Sequence, residues 1–262
     1  MTDIHRQRQA AESFGGDAER YDRARPGYPA EMVERIVAAS PGPDVLDVGC
    51  GTGIAARLFQ AAGCHVLGVD TDARMADRAR RSGIECEVSP FESWDPAGRR
   101  FDALIAGQAW HWIDPSAGAA KAAEVLRPGG RLALFWNAFE PPADLRRRFG
   151  DAQARALPDL PNAWAHPGAI ADGYAQMVGT AAAGLDRTAA FGEVEQWRLE
   201  WDHTYTTEAW LDVLPTYGGL GSRVPADQLR ALLDGAAAMI DAVGGSFPMH
   251  YTTVVGTTTR NG

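Results

Sequence analysis

The sequence predicts an α/β domain in which helices cover both faces of a largely parallel sheet. Short β-rich runs alternate with helical stretches from about residue 45 to 137, the pattern of strands joined by crossover helices. The first run passes straight into glycines at alternate positions, Val45-Leu46-Asp47-Val48-Gly49-Cys50-Gly51-Thr52-Gly53, which opens a tight strand-to-helix turn. With 262 residues and 45% apolar content, the chain is long enough to bury the core such a sheet needs.

The elements follow in order. The first forty residues are a separate piece, in which Phe14-Gly15-Gly16-Asp17-Ala18-Glu19-Arg20-Tyr21 leads to Arg25-Pro26-Gly27-Tyr28-Pro29, a bend, and then a helix from Ala30 to Ala39. Strands are expected over Asp44–Val48, His65–Asp70, Ile84–Val88, Phe101–Ala106 and Arg131–Phe135, with helices over Gly53–Ala62, Met75–Ser82 and Ala117–Leu126. Leu126-Arg127-Pro128-Gly129-Gly130-Arg131 is a helix stop and a turn into the fifth strand. Residues 138 to 190 break the alternation with Pro141-Pro142, helical text from Asp144 to Ala156, an interruption at Pro158 and Pro161, and an Ala-rich segment from His166 to Gly184. That segment has few large side chains to anchor it, which predicts mobility. The last quarter resumes the sheet. Val194–Tyr205 alternates in part as a half-exposed strand, Thr206 or Thr207 caps a helix through Leu214, Pro225 opens another to Val243, and Met249–Thr258 is a final strand.

Composition narrows the function. A formal net charge of −9 repels phosphate backbones, and the one dense basic run, Arg146-Arg147-Arg148, reads as a solvated helix face, so nucleic acid is not expected as a partner. Cys50, Cys64 and Cys86 are odd in number and sit in or beside strands, as buried reduced thiols do. The opening Met1-Thr2-Asp3-Ile4-His5-Arg6 is polar, and no apolar run approaches the roughly 18 residues of a membrane span, so a soluble cytoplasmic protein is expected, with no membrane partner. No Asp/His/Glu cluster at ligand spacing points to a metal.

The glycine turn carries the chemistry. A dinucleotide fingerprint requires Gly or Ala at position 54, where Ile54 stands. Asp47 at the start of the turn would repel a pyrophosphate but favour a cation or an ammonium group. Asp70 closes the second strand, where a carboxylate accepts hydrogen bonds from both hydroxyls of a ribose.

In these residues the chain resembles the class I S-adenosylmethionine-dependent methyltransferases, in particular their small-molecule branch of methyltransferase type 11-like proteins. The resemblance implies a Rossmann-like, seven-stranded mixed sheet with its last strand antiparallel, helices on both faces and a helical lid. It divides the chain into an N-terminal lid segment (1–40), a cofactor-binding core (41–137), a helical insertion over the acceptor site (138–190) and a part that completes the same domain (191–262). The implied cofactor is S-adenosylmethionine. Asp47, Gly49, Cys50, Gly51 and Gly53 would wrap its methionine part, and Asp70 with Thr71 its ribose. Met75 would pack on the adenine or in the core. Pro90 stands where relatives place a polar group for the adenine, so that contact would pass to the backbone near Phe91 or to Glu92. Gln108 and Ala109 would touch the methionine part again. Tyr21 and Arg25 would close over the cofactor, and Tyr28 would face the acceptor.

Catalysis would sit at the carboxyl end of the fourth strand, in Trp110-His111-Trp112. An aromatic wall suits a sulfonium, and His111 is either a general base or a brace that positions the acceptor. Trp110, Trp136, Asn137, Tyr217 and Arg223 are further candidates for the acceptor pocket. The expected reaction is direct in-line methyl transfer to a small molecule, at oxygen or a carboxylate in preference. A nicotinamide-dependent oxidoreductase and a non-catalytic cofactor-binding protein are the alternatives. Assembly as a homodimer is left open.

Overall fold

In the computed structural model, which describes residues 13–157, 162, 164 and 166–262, seven strands form one sheet in the order β3-β2-β1-β4-β5-β7-β6. These are β1 (Asp44–Val48), β2 (His65–Asp70), β3 (Glu85–Val88), β4 (Phe101–Gly107), β5 (Leu126–Glu140), β6 (Glu195–Thr206) and β7 (Ser246–Thr259). The first five pair in parallel, and β7 runs antiparallel between β5 and β6. Helix α1 (Ala18–Ala24) starts the described chain after a 3₁₀ turn, followed by α2 (Ala30–Ala38), α3 (Ile54–Ala61), α4 (Ala73–Arg81) and α5 (Pro115–Val125). The insertion supplies α6 (Ala143–Ala156) and α7 (Ala169–Asp186), and the last quarter α8 (Thr207–Val213), α9 (Leu220–Arg223) and α10 (Ala226–Asp241). Among the described residues, no helix is long and apolar enough to cross a membrane.

Strand alternation distributes β1 between two cores. Leu46 and Val48 pack with Leu104, Leu132 and Leu134 against α5 and α7, while Val45 packs with Ile105 and Phe135 under α2 and α3. Helix starts follow their caps: Asp72 accepts from Arg74 N–H at α4, and Asp114 from Ser116 and Ala117 N–H at α5.

Two expectations change. Helix α7 is docked, because Val178, Ala181 and Leu185 enter the core and Gly184 lies so close to α5 that a Cβ there would stand 2.6 Å from the Pro115 carbonyl. Its alanines and glycines permit close approach rather than mobility. Strand β5 is far longer than the stretch 131–135, running on to Glu140 by pairing with β7 as far as His250. Phe135 is level with the end of β4 at Gly107, so Phe139 stands roughly 13 Å above that edge at ~3.3 Å per residue. The projecting β5–β7–β6 ribbon carries its own aromatic core, with Phe139, Phe149, Tyr205, Trp210, Phe247 and Tyr251 packed between the ribbon and helices α6, α8 and α10.

Candidate functional site

The site begins where β1 stops. Gly49, Gly51 and Gly53 all adopt left-handed backbone, at φ of +66°, +56° and +84°. At Gly49 a side chain is excluded twice over, since a Cβ would also stand 2.5 Å from the Ala109 side chain. The turn is tied to β2: the N–H groups of Gly49 and Cys50 donate to the Val69 carbonyl, and Gly51 N–H donates to Asp70 Oδ2 at 2.7 Å. Asp70 Oδ1 accepts from Asp72 N–H at 2.8 Å. Each carboxylate oxygen keeps a lone pair for a further donor, and burial raises the Asp70 pKa despite these bonds. Thr71 beside it is exposed.

Asp47 has the opposite situation. It is 1% exposed and neither carboxylate oxygen has a hydrogen-bond partner. Burial first, and the charge of Asp70 second, push its pKa to about 7, while the Ala56 N–H pulls the other way without reaching hydrogen-bond geometry. A buried carboxylate left without a donor is what an ammonium group would complete. The left-handed glycine cradle, the orphaned Asp47 and the fixed Asp70 therefore fit the cationic, ribose-bearing cofactor implied by the sequence.

Beside the glycine turn, Met75 is buried with its methyl group beneath Gly51. Cys50 and Cys86 are buried with their sulfurs 3.3 Å apart, and Cys64 is also a buried free thiol. Phe91 is buried beside Trp110, Pro90 is half-buried, and Glu92 accepts the Asp114 N–H at 3.1 Å, tying the end of β3 to the turn after β4.

At the end of β4, Gln108 has φ +57°, a left-handed backbone rare for its residue type, held by its N–H bond to the Phe135 carbonyl. Residues 110–112 then form a 3₁₀ turn that sends neighbouring side chains in different directions. Trp110 is thereby removed from the expected acceptor pocket: it is 3% exposed and packs in the core against Phe91 and Gly118. His111 faces Trp112, with ring centroids 4.7 Å apart, and accepts the Trp136 indole N–H. Burial holds the His111 pKa down at about 4.

The N-terminal segment packs on these groups. Arg25 places its guanidinium over the rings of Tyr217 at 4.1 Å and Tyr21 at 5.0 Å, and donates to the Thr216 hydroxyl and carbonyl at 2.9 and 2.7 Å. Tyr28 lies edge-on to Phe135 with its hydroxyl against Gly107, and burial raises its pKa strongly. Asn137 is buried: its amide donates to the Gly27 carbonyl at 2.9 Å and its oxygen accepts from the Thr253 hydroxyl at 2.7 Å. Tyr21, Arg25, Tyr28, Gln108, Asn137 and Tyr217 surround a cavity of about 20 Å³, room for a single water. The side chain of Arg223 lies outside the described residues.

Several participants escape the sequence reading. Tyr174 stacks on Trp136 with ring centroids 6.2 Å apart. It is the only aromatic residue of α7, a signal that could have found it. Tyr205, Tyr251 and Tyr217 join their hydroxyls at 2.8 and 3.0 Å, a contact that the antiparallel pairing of β6 with β7 makes and that no local pattern encodes. Asp22 on α1 receives Arg57 of α3 at 2.8 Å and Arg78 of α4, and so clamps α1 onto the core.

Residues 45–130 match the family model described as a methyltransferase domain. An uncharacterized methyltransferase of Mycobacterium tuberculosis is 38% identical over 127 residues, covering 48% of this chain and 52% of that protein. The chain spans about half the length of the curated relatives it matches. Among solved structures, a protein of Anaeromyxobacter dehalogenans provisionally assigned as a type II methyltransferase superposes with a TM-score of 0.64 at 24% identity, over 89% of this chain and 97% of that one. Another, from Anabaena variabilis and provisionally assigned as a methyltransferase of an antibiotic biosynthesis pathway, does so with 0.59 at 16% identity, over 90% and 98%.

Proposed function

We propose that this chain is a class I S-adenosylmethionine-dependent methyltransferase, a reading supported by the methyltransferase-domain match over residues 45–130, and that it transfers a methyl group to a small-molecule acceptor, at oxygen or a carboxylate. The observation that carries this reading is Asp47, a buried and unpartnered carboxylate at the foot of the glycine turn, with Asp70 fixed on the neighbouring strand.

The chemistry supplied by the bound cofactor is an activated methyl group on a sulfonium. Asp47 would balance the ammonium, Asp70 would accept from the ribose, and Met75 with Phe91 would bound the adenine. The end of β4 at Gln108 and Ala109 would hold the methionine part. The lid residues Tyr21, Arg25 and Tyr28 exclude water, which leaves an approaching nucleophile poorly solvated. His111, neutral and braced by Trp136, orients an acceptor through its remaining N–H. A carboxylate acceptor suits this site, because it is already an anion at neutral pH and needs no proton removed, whereas a group with a pKa near 4 is a weak base.

The test is twofold. Calorimetry should find S-adenosylmethionine and S-adenosylhomocysteine binding and no tight binding of NAD. Mass spectrometry of a mixed small-molecule pool incubated with labelled methyl donor should find label in carboxylate or hydroxyl oxygens. Tight NAD binding with no affinity for either methionine-derived ligand would overturn the proposal.

A further inference from the structure

The sheet ends in two unlike edges. Strand β3 is four residues long and carries Glu85 and Glu87, a short and charged edge of the kind that resists further pairing. Strand β6 is the opposite. It runs for twelve residues, Glu195–Thr206, without proline or lysine, and pairs with β7 from end to end with no bulge. Among the described residues, no strand pairs with its outer side, and its outward N–H and C=O groups have no backbone partner. A long, regular edge of this kind is a template for one more strand.

The side chains on that edge select the strand. Arg198, Glu200 and Asp202 follow one another along one face, and all three are exposed. Glu200 is held in place by the Thr252 hydroxyl, which donates to it at 2.7 Å, and by His250 Nε2 at 2.8 Å. The Arg198 guanidinium has no hydrogen bond or ion pair among the described residues. On the opposite face, Trp197 lies under the Arg35 guanidinium at 4.0 Å and Trp201 is stacked on Tyr251 at 4.5 Å, so both half-buried indoles are fixed in position.

A second copy of the same strand complements this pattern. Antiparallel pairing about a two-fold axis brings side chains of the same face together, so the residue at the axis meets its own copy and its neighbours meet across it. Centred on Arg198, Glu200 or Asp202, the pairing sets a charge against its own copy, and centred on Trp201 it sets Glu200 against Asp202. Centred on Leu199, it sets Arg198 of each copy against Glu200 of the other, Gln196 against Asp202, and Trp197 against Trp201. Each charge on that face then meets an opposite or neutral group, and the indoles form cross-strand aromatic pairs. We propose that the β6 edge is a homodimer interface, in which two copies of this chain pair antiparallel about Leu199 and join their sheets. None of the residues at the glycine turn takes part, so the interface stands apart from the methyl-transfer reading.

Sedimentation equilibrium of the full chain over about 1–100 μM, the range of a dimer with a micromolar dissociation constant, should report twice the chain mass at the upper end. Arg198→Glu and Glu200→Arg should each weaken the dimer by about tenfold or more, since each substitution sets two like-charged pairs across the axis. Mixed in equal amounts, the two variants should associate again, because every altered charge then meets an opposite one on the other variant. Circular dichroism and thermal melting report that each variant is folded. Independently of any variant, amide hydrogen exchange in residues 195–206 of the wild type should slow at concentrations where the dimer forms. A wild-type chain that stays monomeric at the highest concentration would overturn the inference and leave the edge to a strand of another protein. A dimer equally strong in both single variants, or a mixture of the two that fails to associate, would overturn it too, as would exchange in β6 that does not change with concentration.

Discussion

The indole N–H of Trp136 donates to Nδ1 of His111 across 3.1 Å, and because an indole can only donate, the imidazole carries its proton on Nε2. His111 thus offers the site a donor rather than an empty lone pair. Its expected contribution to the rate is orientation: kcat should show no inflection attributable to His111 between pH 6 and 8, and His111→Asn should lower kcat by about tenfold or less. An inflection near pH 6.5 that disappears in His111→Asn would restore the general-base role.

The same burial makes His111 a source of acid sensitivity. Its folded pKa of about 4 lies below the ordinary value of 6.5, so between those limits the unfolded chain binds a proton that the folded chain does not. Stability is therefore lost as pH falls through that window, by up to about 3 kcal/mol. Chemical denaturation at pH 4.5 and 7 should show a smaller difference for His111→Asn than for the wild type.

Asp47 behaves with the reverse sign. Its folded pKa of about 7 lies above the ordinary carboxyl value of 3.8, so the folded chain holds the extra proton, and the ligand-free protein loses stability from this group as pH rises from about 4 to 7. Asp47→Asn should stabilise the ligand-free protein at pH 8, by at most about 4 kcal/mol, and weaken S-adenosylmethionine binding by tenfold or more. Calorimetry near pH 7 in buffers of different ionisation enthalpy should detect proton release as the ammonium group binds. No proton release, with affinity unchanged in Asp47→Asn, would separate Asp47 from the ligand.

Asp70 holds Gly51 N–H, and in the proposed cofactor site it would also receive the ribose. Asp70→Ala should lower S-adenosylhomocysteine affinity by about 10–100-fold and also lower the melting temperature, because the turn loses its anchor. Asp70→Asn keeps an acceptor for Gly51 and should recover stability more than affinity. Equal recovery of both would mean that Asp70 serves the turn alone.

The N-terminal segment proposed as a lid is held by charge. Asp22, largely buried, receives two arginines from different helices, so Asp22→Ala leaves Arg57 and Arg78 facing each other without their shared partner. Hydrogen exchange across residues 18–28 should rise, and S-adenosylhomocysteine should dissociate several-fold faster in stopped-flow measurements. Unchanged exchange there would remove Asp22 from lid closure.

Strands β1 and β2 agree with the sequence reading to the residue, because each is a short apolar run bounded by turn residues. The turn between them was equally legible, since glycines at alternate positions and the two aspartates are local features. Helix α1 was not assigned from the sequence, for its charged stretch has no apolar face and is held in place by Asp22 meeting Arg57 and Arg78. The span Trp136–Glu140 looks like a loop before Pro141, and its strand character comes from pairing with residues 250–254, more than a hundred positions away. Trp110 was assigned to the acceptor pocket from its place beside His111. The 3₁₀ turn sends it to the core instead, and sequence adjacency carries no information about that rotation.

By itself, then, the sequence determined the sheet, the glycine turn, and the placing of Asp47 and Asp70 at adjoining strand ends, because these depend on short-range periodicity and on backbone freedom that glycine alone provides. Only the tertiary structure decided which groups gather beyond the end of β4. There Arg25 from the N-terminal segment meets Thr216 and Tyr217 from the last quarter, with the tyrosine chain of the ribbon behind them. These residues are far apart along the chain, and what joins them is long-range strand pairing and hydrogen bonds between distant segments.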